Sequence, residues 1–561
     1  MNHKGNHTSR ETWERFKDEV RSFWRSKERP KAVVLMVSLI TLLLSINGLN
    51  VLNSYVGRDF ISSIEHKDRP QFYMQAWLYL GVFGLSTFVA VMYRYAEERL
   101  GLLWRDWQTR EILTTYLDGQ VFYRIEESGA VQNPDQRIAE DIKSFTTSTV
   151  SFVLMLMNGT FTAIAFSGVL WSISPRLFVV AVAYAFIGTM FTVFLGKHLV
   201  GLNHQQLDKE AYFRSELIHM RENAEGVALF HREGRLKTRL LERLDDLVAN
   251  FRRMISVNRN VGFFTTGYNY LIQLLPALLV APFFIDGQVE FGVITQSAMA
   301  FAQLMGAFSL IVTQFQSISS YAAVIGRLSK LNEAVDNLRH RERPVVIRPA
   351  DGEVRYENLT LHRLGDSVAL KNLNISVERG KRVLIIAASG HAKMAFFNAT
   401  AGLECKGVGI IYRPDADHIL FLPERPYLPK GTLRDVLLRS TRDEDALDEE
   451  IMAVLRQLKI ESVVELHGGL RVEHDWDNIL SLHEQAALVV ARALLAQPQF
   501  VFLDRMSVAM NATEAGEVLN LFTQRCIGYL VLGETDDELK HFDAVLTIER
   551  DGSWNWRKVV D

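Results

Sequence analysis

Two hydrophobic patterns follow one another along this chain, and the change between them falls near residue 335. Before that point the chain is dominated by six apolar stretches, each about the 20 residues that an α-helix needs to cross a bilayer. One of them, TVSFVLMLMNGTFTAIAFSGVLWSI, carries no charged residue. The pattern predicts membrane spans at residues 32–53, 73–95, 149–173, 177–198, 261–285 and 292–318.

The connections predict how these spans are oriented. Spans three and four are joined by SPR and spans five and six by DGQVEFG, whereas long charged segments follow spans two and four. The long segments have helical periodicity, with a turn predicted near VQNPDQ. Because they and the N-terminus are rich in Lys and Arg, the positive-inside rule assigns them and both chain ends to the cytoplasm. The polar INGLN in the first span is expected to face other helices or a water-filled cavity.

Residues 1–31 predict an amphipathic helix ahead of the first span. Lys and Arg cover much of its surface, and we expect the helix to lie in the inner membrane interface, with a solvated coil as the alternative. The residues on its apolar face are Trp13, Phe16, Val20, Phe23 and Trp24.

After residue 335, short β-rich runs such as RVLIIAA, HILFLP and FVFLD alternate with helical segments. This alternation predicts an α/β domain with a largely buried sheet. The predicted fold is therefore a six-helix transmembrane domain followed by an α/β domain. The predicted boundaries are 1–31 for the amphipathic segment, 32–335 for the membrane domain and 336–561 for the α/β domain.

Composition agrees with a membrane protein and excludes other classes. The 561 residues are 48% hydrophobic, and the net charge of −3 gives no sign of a nucleic-acid partner. Two cysteines, Cys405 and Cys526, cannot form a disulfide framework, and we expect both to be buried thiols. No apolar stretch begins near Met1, so no cleaved signal peptide is expected. No metal site is predicted.

The segment LIIAASGHAKMAFF, residues 384–397, has the strand–turn–helix context of a phosphate-binding loop, G-x-x-x-x-G-K-[ST]. Three of the required residues are replaced: Ala387 and Ala392 stand where glycine is needed, and Met394 stands where a hydroxyl would hold magnesium. Lys393 is retained. By itself this is a weak signal.

Further strings follow in a characteristic order: PYLPKGTLRD, NILSLHEQ, and ARALL ahead of FVFLD. With them, the second half resembles an ABC-transporter nucleotide-binding domain. Together with WRDW and NPDQRIAEDI in the first half, the whole chain resembles bacterial fused membrane–ATPase transporters of the YddA type. The membrane half is similar to the SbmA/BacA peptide transporters and, more distantly, to the peroxisomal fatty-acyl ABC transporters.

The resemblance implies a role for individual residues. If nucleotide binding is retained, it would use Ser389, Gly390, Lys393, Met394, Asp504 and Ser481. Five other positions depart from the family pattern: Glu424 replaces the coupling glutamine, His483 the signature glycine, Arg505 the catalytic glutamate, Asn511 the D-loop aspartate and Glu534 the switch histidine.

These departures predict a pseudo-ATPase with no catalytic residue left. Met394 offers magnesium no oxygen, and Arg505 cannot orient water as a carboxylate does. Glu534 would repel a phosphate charge by on the order of 4 kcal/mol at ~4 Å and an effective dielectric constant of about 20. Weak binding of ATP and Mg²⁺ through Lys393 and Asp504 is one reading. In the other, Lys393 is a solvated lysine at a helix end and Asp504 pairs with Arg505.

The resemblance also implies half of a dimeric transporter, working with a second copy or a related half-transporter. It places the chain in the bacterial inner (cytoplasmic) membrane and suggests a small peptide-like substrate, of unknown direction. Proton-driven transport, ATP-dependent transport and a non-transporting scaffold or regulator remain open. The candidate proton carriers are Glu210, Glu216, Glu222 and Glu225. Aromatic residues in the spans are interpreted as packing or belt residues; they are Trp171, Tyr184, Tyr268 and Tyr270.

Overall fold

The structure is a computed structural model of the chain and describes residues 4–340, 345–362, 368–403, 406–438, 448–504, 510–534 and 537–559. The chain divides into two compact units, Met1–Arg339 and His340–Asp561. The first unit is helical, and the second contains the β-sheets. A helical membrane-like region followed by an α/β region is therefore confirmed.

Proline begins several helices of the first unit, because its fixed φ suits the first helical turn and its missing N–H has no partner there. A π-helical turn, Arg137–Asp141, leads into the third predicted span. The helices are α1 (Lys4–Arg25), α2 (Arg29–Glu65), α3 (Arg69–Leu117), α4 (Val121–Ser128), α5 (Pro134–Gln136), α6 (Ile142–Ile173), α7 (Pro175–Glu222), α8 (Ala224–Leu229), α9 (Glu233–Ile285), α10 (Gly292–Thr313) and α11 (Phe315–His340).

Five of the helical segments are long and apolar enough to cross a membrane. They contain predicted spans one, two, three and five and most of span six, and these apolar helices are confirmed. Predicted span four lies in α7, where the described apolar stretch, Pro175–Phe191, is shorter than the others. Six spans therefore stay a prediction. The turn predicted near VQNPDQ is present between α4 and α5.

The polar interruption of the first span faces another helix. Asn47 is buried, its amide donates to Asn158 Oδ1 at 3.0 Å, and its Oδ1 accepts from the Thr162 hydroxyl at 2.8 Å. Both partners belong to α6, so the hydrogen bonds connect α2 to α6. The expectation that this interruption faces neighbouring helices is confirmed, since a polar side chain in a span is stabilised by partners on another helix.

One apolar cluster joins α1, α2, α3, α4, α6 and α11, and we call it the base cluster; its members include Phe23, Leu39, Trp104, Phe145 and Leu331. Phe23 is fully buried and stacks on Trp104, with ring centroids 4.8 Å apart. The apolar face of α1 therefore packs on protein rather than in the lipid interface that the sequence suggested. The predicted amphipathic pattern of α1 is present, but neighbouring helices, and not lipid, cover its apolar face. The side chain of Trp13 lies outside the described residues.

The second unit contains a four-stranded sheet of order β1-β5-β2-β3, a six-stranded sheet of order β12-β11-β4-β10-β9-β6 and the short pair β7-β8. The strands are β1 (Val345–Pro349), β2 (Glu353–His362), β3 (Val368–Glu378), β4 (Arg382–Ala387), β5 (Gly407–Arg413), β6 (Ile419–Leu422), β7 (Gly431–Thr432), β8 (Glu473–His474), β9 (Phe500–Asp504), β10 (Gly528–Gly533), β11 (Ala544–Ile548) and β12 (Trp554–Lys558).

Helices cover the six-stranded sheet, in which only β12 runs antiparallel to its neighbour. Its central strands are continuous apolar runs, as expected where both faces are buried. The helices of this unit are α12 (Gly390–Ala401), α13 (Leu433–Leu437), α14 (Asp448–Gln457), α15 (Ser462–Leu466), α16 (Trp476–Ile479), α17 (Leu482–Ala496) and α18 (Ala512–Gln524).

The expectation of two buried cysteines is wrong for one of them. Cys526 is an exposed free thiol. It follows α18 in a turn with φ of 55°, and the turn holds its side chain on the surface. Cys405 lies outside the described residues.

Candidate functional site

The candidate nucleotide residues gather where four parallel strands end. β4 leads to the loop before Lys393, β6 to Glu424 and β10 to Glu534, while Asp504 ends β9. The registers pair Leu532 with Asp504 and Gly533 with Ile386, so these strand ends are level. We call the carboxyl ends of these four strands, with the loops that follow them, the sheet edge. Ligands of open α/β sheets bind at such an edge.

The phosphate-loop segment forms a plain strand–helix junction. Ser389 is the N-cap of α12, and its hydroxyl accepts from Ala392 N at 3.3 Å. Ala388 N donates to Ile548 O in the neighbouring strand at 2.9 Å. None of residues 387–394, all of them described, has a positive φ. A phosphate nest needs successive N–H groups turned inward by left-handed residues, so this loop lacks the conformation that would cradle a phosphate.

Lys393 has a partner inside the domain. It is only 9% exposed, and its Nζ donates to Gly533 O at 2.6 Å. The reading of Lys393 as a solvated lysine is therefore wrong, because α12 directs the side chain beneath the end of β10. A buried ammonium is stable only with hydrogen bonds, and this bond supplies one. Met394, the next residue, is exposed and offers no oxygen to a cation.

The end of β10 is closely packed around Gly533. A side chain there would overlap Asp537 Oδ2 and Leu384 Cδ1. The same Asp537 oxygen accepts from Glu534 N at 2.7 Å, and the Glu534 side chain is exposed. Asp537 thus occupies the turn that follows the strand. The predicted departure at Glu534 stays a prediction, and Arg505 lies outside the described residues, so its pairing with Asp504 is not described.

Ser481 of the signature and Asn511 of the D-loop position each cap a helix. Ser481 is the N-cap of α17: its hydroxyl donates to Glu484 Oε2 at 2.7 Å and accepts from Glu484 N at 3.3 Å. The hydrogen bond from Ser481 lowers the pKa of Glu484. Asn511 caps α18 in the same reciprocal manner with Glu514. His483 Nδ1 lies 3.8 Å from Glu514 Oε2. These capping boxes satisfy amides of the first turn and stabilise the two helices.

Glu424 and Asp504 line one small cleft of the α/β unit, beside the end of β6. Asp504 is 8% exposed. The other walls are mostly apolar and include Leu422, Val490 and Met510. The cleft therefore has two acidic residues and little other polar lining, and it offers a triphosphate no positive charge among its lining residues. Among the described residues, the loop before Lys393 lacks the left-handed conformation of a phosphate nest, and Met394 offers magnesium no oxygen.

The candidate proton carriers lie on the long helices beyond the fourth span. Gln206 Nε2 donates to Glu210 Oε1 at 2.9 Å, and Arg239 on α9 pairs with Glu216 at 2.5 Å. Glu222 is exposed, and the side chain of Glu225 lies outside the described residues. Among the span aromatics, Tyr184 and Tyr268 stack at 4.3 Å, whereas Trp171 and Tyr270 are exposed. Their substrate contacts, if any, stay unassigned.

Sequence reasoning missed a polar group at the base cluster. Gln108 Nε2 donates to Glu19 Oε2 at 3.0 Å, and Asn332 Nδ2 donates to Glu19 Oε1. Desolvation raises the pKa of the Glu19 carboxyl to about 7. One signal was present in the sequence: Glu19 interrupts the apolar face of α1 between Phe16 and Phe23.

Comparison with known proteins shows similarity to ABC transporters along most of the chain. Residues 23–285 match the family described as ABC transporter transmembrane region 2. ABC transporter D family member 2, chloroplastic, of Arabidopsis thaliana is 33% identical over 619 residues, covering 97% of this chain and 88% of the relative. An uncharacterized ABC transporter ATP-binding protein of Synechocystis is also 33% identical, covering 93% of this chain and 81% of the relative.

The Escherichia coli inner membrane ABC transporter ATP-binding protein YddA is 25% identical, covering 90% of this chain and 92% of the relative. These alignments run through both units, from the apolar helices to the sheet edge. The chain belongs to the ABC transporter family, as a multi-pass membrane protein that fuses its membrane part to the part aligned with the ATP-binding region of its relatives.

Proposed function

We propose that the chain is a proton-driven ABC-type transporter of peptides or peptide-like molecules in the bacterial inner membrane, with an α/β unit that no longer hydrolyses ATP. The observation that carries this proposal is Lys393, whose buried ammonium is bound to the Gly533 carbonyl. To meet a phosphate, Nζ would have to leave that carbonyl, and the loop before it would have to change conformation. Both steps cost free energy.

Charge supports the same proposal. Glu424, Asp504 and Glu534 add carboxylates at the strand ends where a triphosphate would lie. Met394 supplies no magnesium ligand to neutralise them. Phosphoryl transfer depends on metal, water and charge placed together, and the described part of the sheet edge has none of this arrangement. We infer that the α/β unit acts as a dimerisation element, with ATP bound weakly at most.

A dimer is supported by the long helices α7 and α9. Beyond the predicted spans, where charged residues place these helices in water, they still expose large apolar side chains. These include Leu207, Tyr212, Leu241, Phe251 and Ile255. Exposed apolar surface on this scale marks an interaction site. The partner we propose is a second copy of the chain or a related half-transporter, with both termini of each copy in the cytoplasm.

ATP-dependent transport is the second candidate, because the printed names of the Synechocystis and Escherichia coli relatives describe them as ATP-binding proteins. The peptide substrate is inferred from the resemblance of the membrane half alone. The relative from the plant D family is more similar to this chain than YddA is, at 33% against 25% identity. Because the membrane half also resembles the peroxisomal fatty-acyl ABC transporters, the substrate panel includes fatty-acyl compounds beside peptides.

The decisive test uses the full-length chain in proteoliposomes. We expect uptake of a labelled peptide to follow an imposed pH gradient without nucleotide, and no vanadate-sensitive ATP hydrolysis. Binding of a fluorescent ATP analogue is then compared between the wild type, Lys393→Ala and the control Lys381→Ala, which changes an exposed lysine of the same unit. Equal, weak signals in all three support the proposal.

Saturable binding that only Lys393→Ala abolishes would overturn the proposed loss of the site. Vanadate-sensitive hydrolysis would favour the ATP-dependent transporter. The absence of both uptake and hydrolysis, with tight binding to another membrane protein, would favour a scaffold or regulator.

A further inference from the structure

The arrangement around Glu19 begins with the packing of α1. Phe23, four residues further along the helix, stacks on Trp104 of α3, and Trp104 lies four residues before Gln108. Phe16 meets the ring of Phe145 of α6 at 6.2 Å, edge to face. Residues four apart share one helix face, so these aromatic contacts fix the position of α1. They also enclose the Glu19 carboxyl between helices.

The hydrogen-bond partners of Glu19 are neutral amides from two other helices. Gln108 of α3 donates to one carboxyl oxygen, and Asn332 of α11 donates to the other. Gln108 Oε1 is buried and has no hydrogen-bond partner among the described atoms. If this amide rotates by half a turn, Oε1 takes the position of Nε2 and can accept a proton from Glu19. The group can therefore hydrogen-bond both the ionised and the neutral acid.

The charges that face Glu19 are acidic. Asp336 lies one turn beyond Asn332 on α11, and Asp18 lies on α1 itself; both raise the pKa of Glu19. From α3 the facing group is the uncharged Gln108, and α6 contributes the Phe145 ring to this region. Desolvation is the largest cause of the raised pKa, and the hydrogen bond from Asn332 opposes it. The ionised form is thus partly desolvated and lies near two exposed carboxylates, which favours the neutral acid.

Helix α11, which carries Asn332, is the last element before the α/β unit. It is held to the rest of the helical unit at further points, two of which involve buried side chains. Arg327 Nη2 donates to Asp141 Oδ1 at 2.6 Å, and Arg124 Nη1 donates to Leu338 O at 2.6 Å. The connection at Glu19 is built from a carboxyl with the neutral donors Gln108 and Asn332. The carboxyl of Asp141 has a lowered pKa, whereas the pKa of Glu19 is raised to about 7, so the Glu19 connection is the one of these three that a proton changes near neutral pH.

We propose that the Glu19 carboxyl, held between α1, α3 and α11, is a proton-binding site of the helical unit. Binding of the proton removes the desolvated negative charge between the three helices, and its release restores a charge that the hydrogen bond from Asn332 offsets only in part. A role of Glu19 in coupling protons to transport rests on the proposed function. The binding of a proton by Glu19 does not.

Infrared difference spectra of the full-length protein in lipid nanodiscs test the site directly. We expect the C=O band of a protonated carboxyl to disappear as the pH rises from about 6 to about 8, the range around the raised pKa. The band should be absent in Glu19→Gln and unchanged in Glu14→Gln, which alters an exposed glutamate of the same helix. A band that persists in Glu19→Gln, or no titrating band in the wild type, would overturn the proposal.

Thermal stability provides a second measurement with a defined sign. The folded chain binds this proton more tightly than an ordinary glutamate with a pKa of 4.5 does. The wild type should therefore lose stability as the pH rises from 4.5 through about 7. Glu19→Gln should be the more stable protein at pH ~8 and should lack this pH dependence. Parallel curves for the two proteins contradict the inference.

The two proposals fail separately. If peptide uptake does not follow a pH gradient but the Glu19 band titrates, the proton site stands and the transport mechanism falls. If uptake is proton-driven and no Glu19 band is found, this inference alone is wrong.

Discussion

The base cluster of the helical unit and the sheet edge of the α/β unit both collect polar side chains, but these side chains have different partners. At the base, Glu19 and Asn332 are separated by 313 residues, Asp141 and Arg327 by 186. At the N-caps of the α/β unit, Ser481 bonds to Glu484 and Asn511 to Glu514, three residues away in each case. The hydrogen bonds at the base connect different helices, whereas those at the N-caps satisfy amides within a single helix.

The capping residues that look functional in the sequence bond within their own helix, whereas the polar groups at the base are committed between elements; Lys393 also bonds to a distant element. A motif draws attention to Ser389, Lys393 and Ser481, and each of these now has a structural role: two cap helices, and one binds the Gly533 carbonyl. No motif marks Glu19, Gln108 or Asn332, yet these three form the proposed proton site. The comparison predicts that substitutions at the base disturb the connection between helices, whereas those at the sheet edge act locally.

The largest effect is expected for Asp141→Asn. Asp141 is 7% exposed and pairs with both Arg137 and Arg327, so the substitution leaves two guanidinium groups without their carboxylate. Breaking a buried ion pair costs roughly 3 kcal/mol in the free energy of unfolding. Chemical denaturation in detergent measures this cost. The matched control is Asp106→Asn, whose exposed partner Arg110 predicts a cost of about 0.5 kcal/mol or less. Equal costs for the two variants would contradict the connecting role of the base.

A smaller and local effect is expected for Gly533→Ala at the sheet edge. The added methyl group overlaps Asp537 and Leu384, and overpacking of this kind costs about 1–3 kcal/mol. Hydrogen exchange should show faster exchange around β10 and α12 and unchanged exchange in the helical unit. Gly390→Ala is the control, because nothing lies within 4 Å of the added atom. Faster hydrogen exchange throughout α11 would show that the effect of Gly533→Ala is not confined to the sheet edge.

The smallest effect is expected for Glu216→Gln. Its partner Arg239 is 60% exposed, and an ion pair that is screened by water contributes about 0–1 kcal/mol. If Glu216 is only a surface partner, uptake driven by a pH gradient remains at the wild-type level, while Glu19→Gln reduces it. Loss of uptake in Glu216→Gln with normal uptake in Glu19→Gln would assign proton coupling to Glu216 of α7 and not to Glu19 at the base cluster. Transport assays in proteoliposomes with the two variants side by side decide between them.

The sheet edge of the α/β unit illustrates how far a motif predicts a site. Strand positions, the strand–turn–helix context of Lys393 and the order of the later strings were all readable from the sequence. Whether Lys393 meets solvent, a phosphate or a backbone carbonyl was not, because β4 and β10 become neighbours only when the sheet forms. The first reading of α1 failed for a related reason: an amphipathic pattern indicates that a face is covered, but lipid and protein cover it equally well.

The sequence by itself determined the long apolar helices, the α/β half and the family, since these follow from local periodicity and from residue types in a fixed order. Tertiary structure alone decided the partners of the polar groups. Burial changes the free energy of a charge by an amount that depends on atoms from distant segments, and for that reason Glu19 became titratable near neutral pH and Lys393 became bound within its own domain.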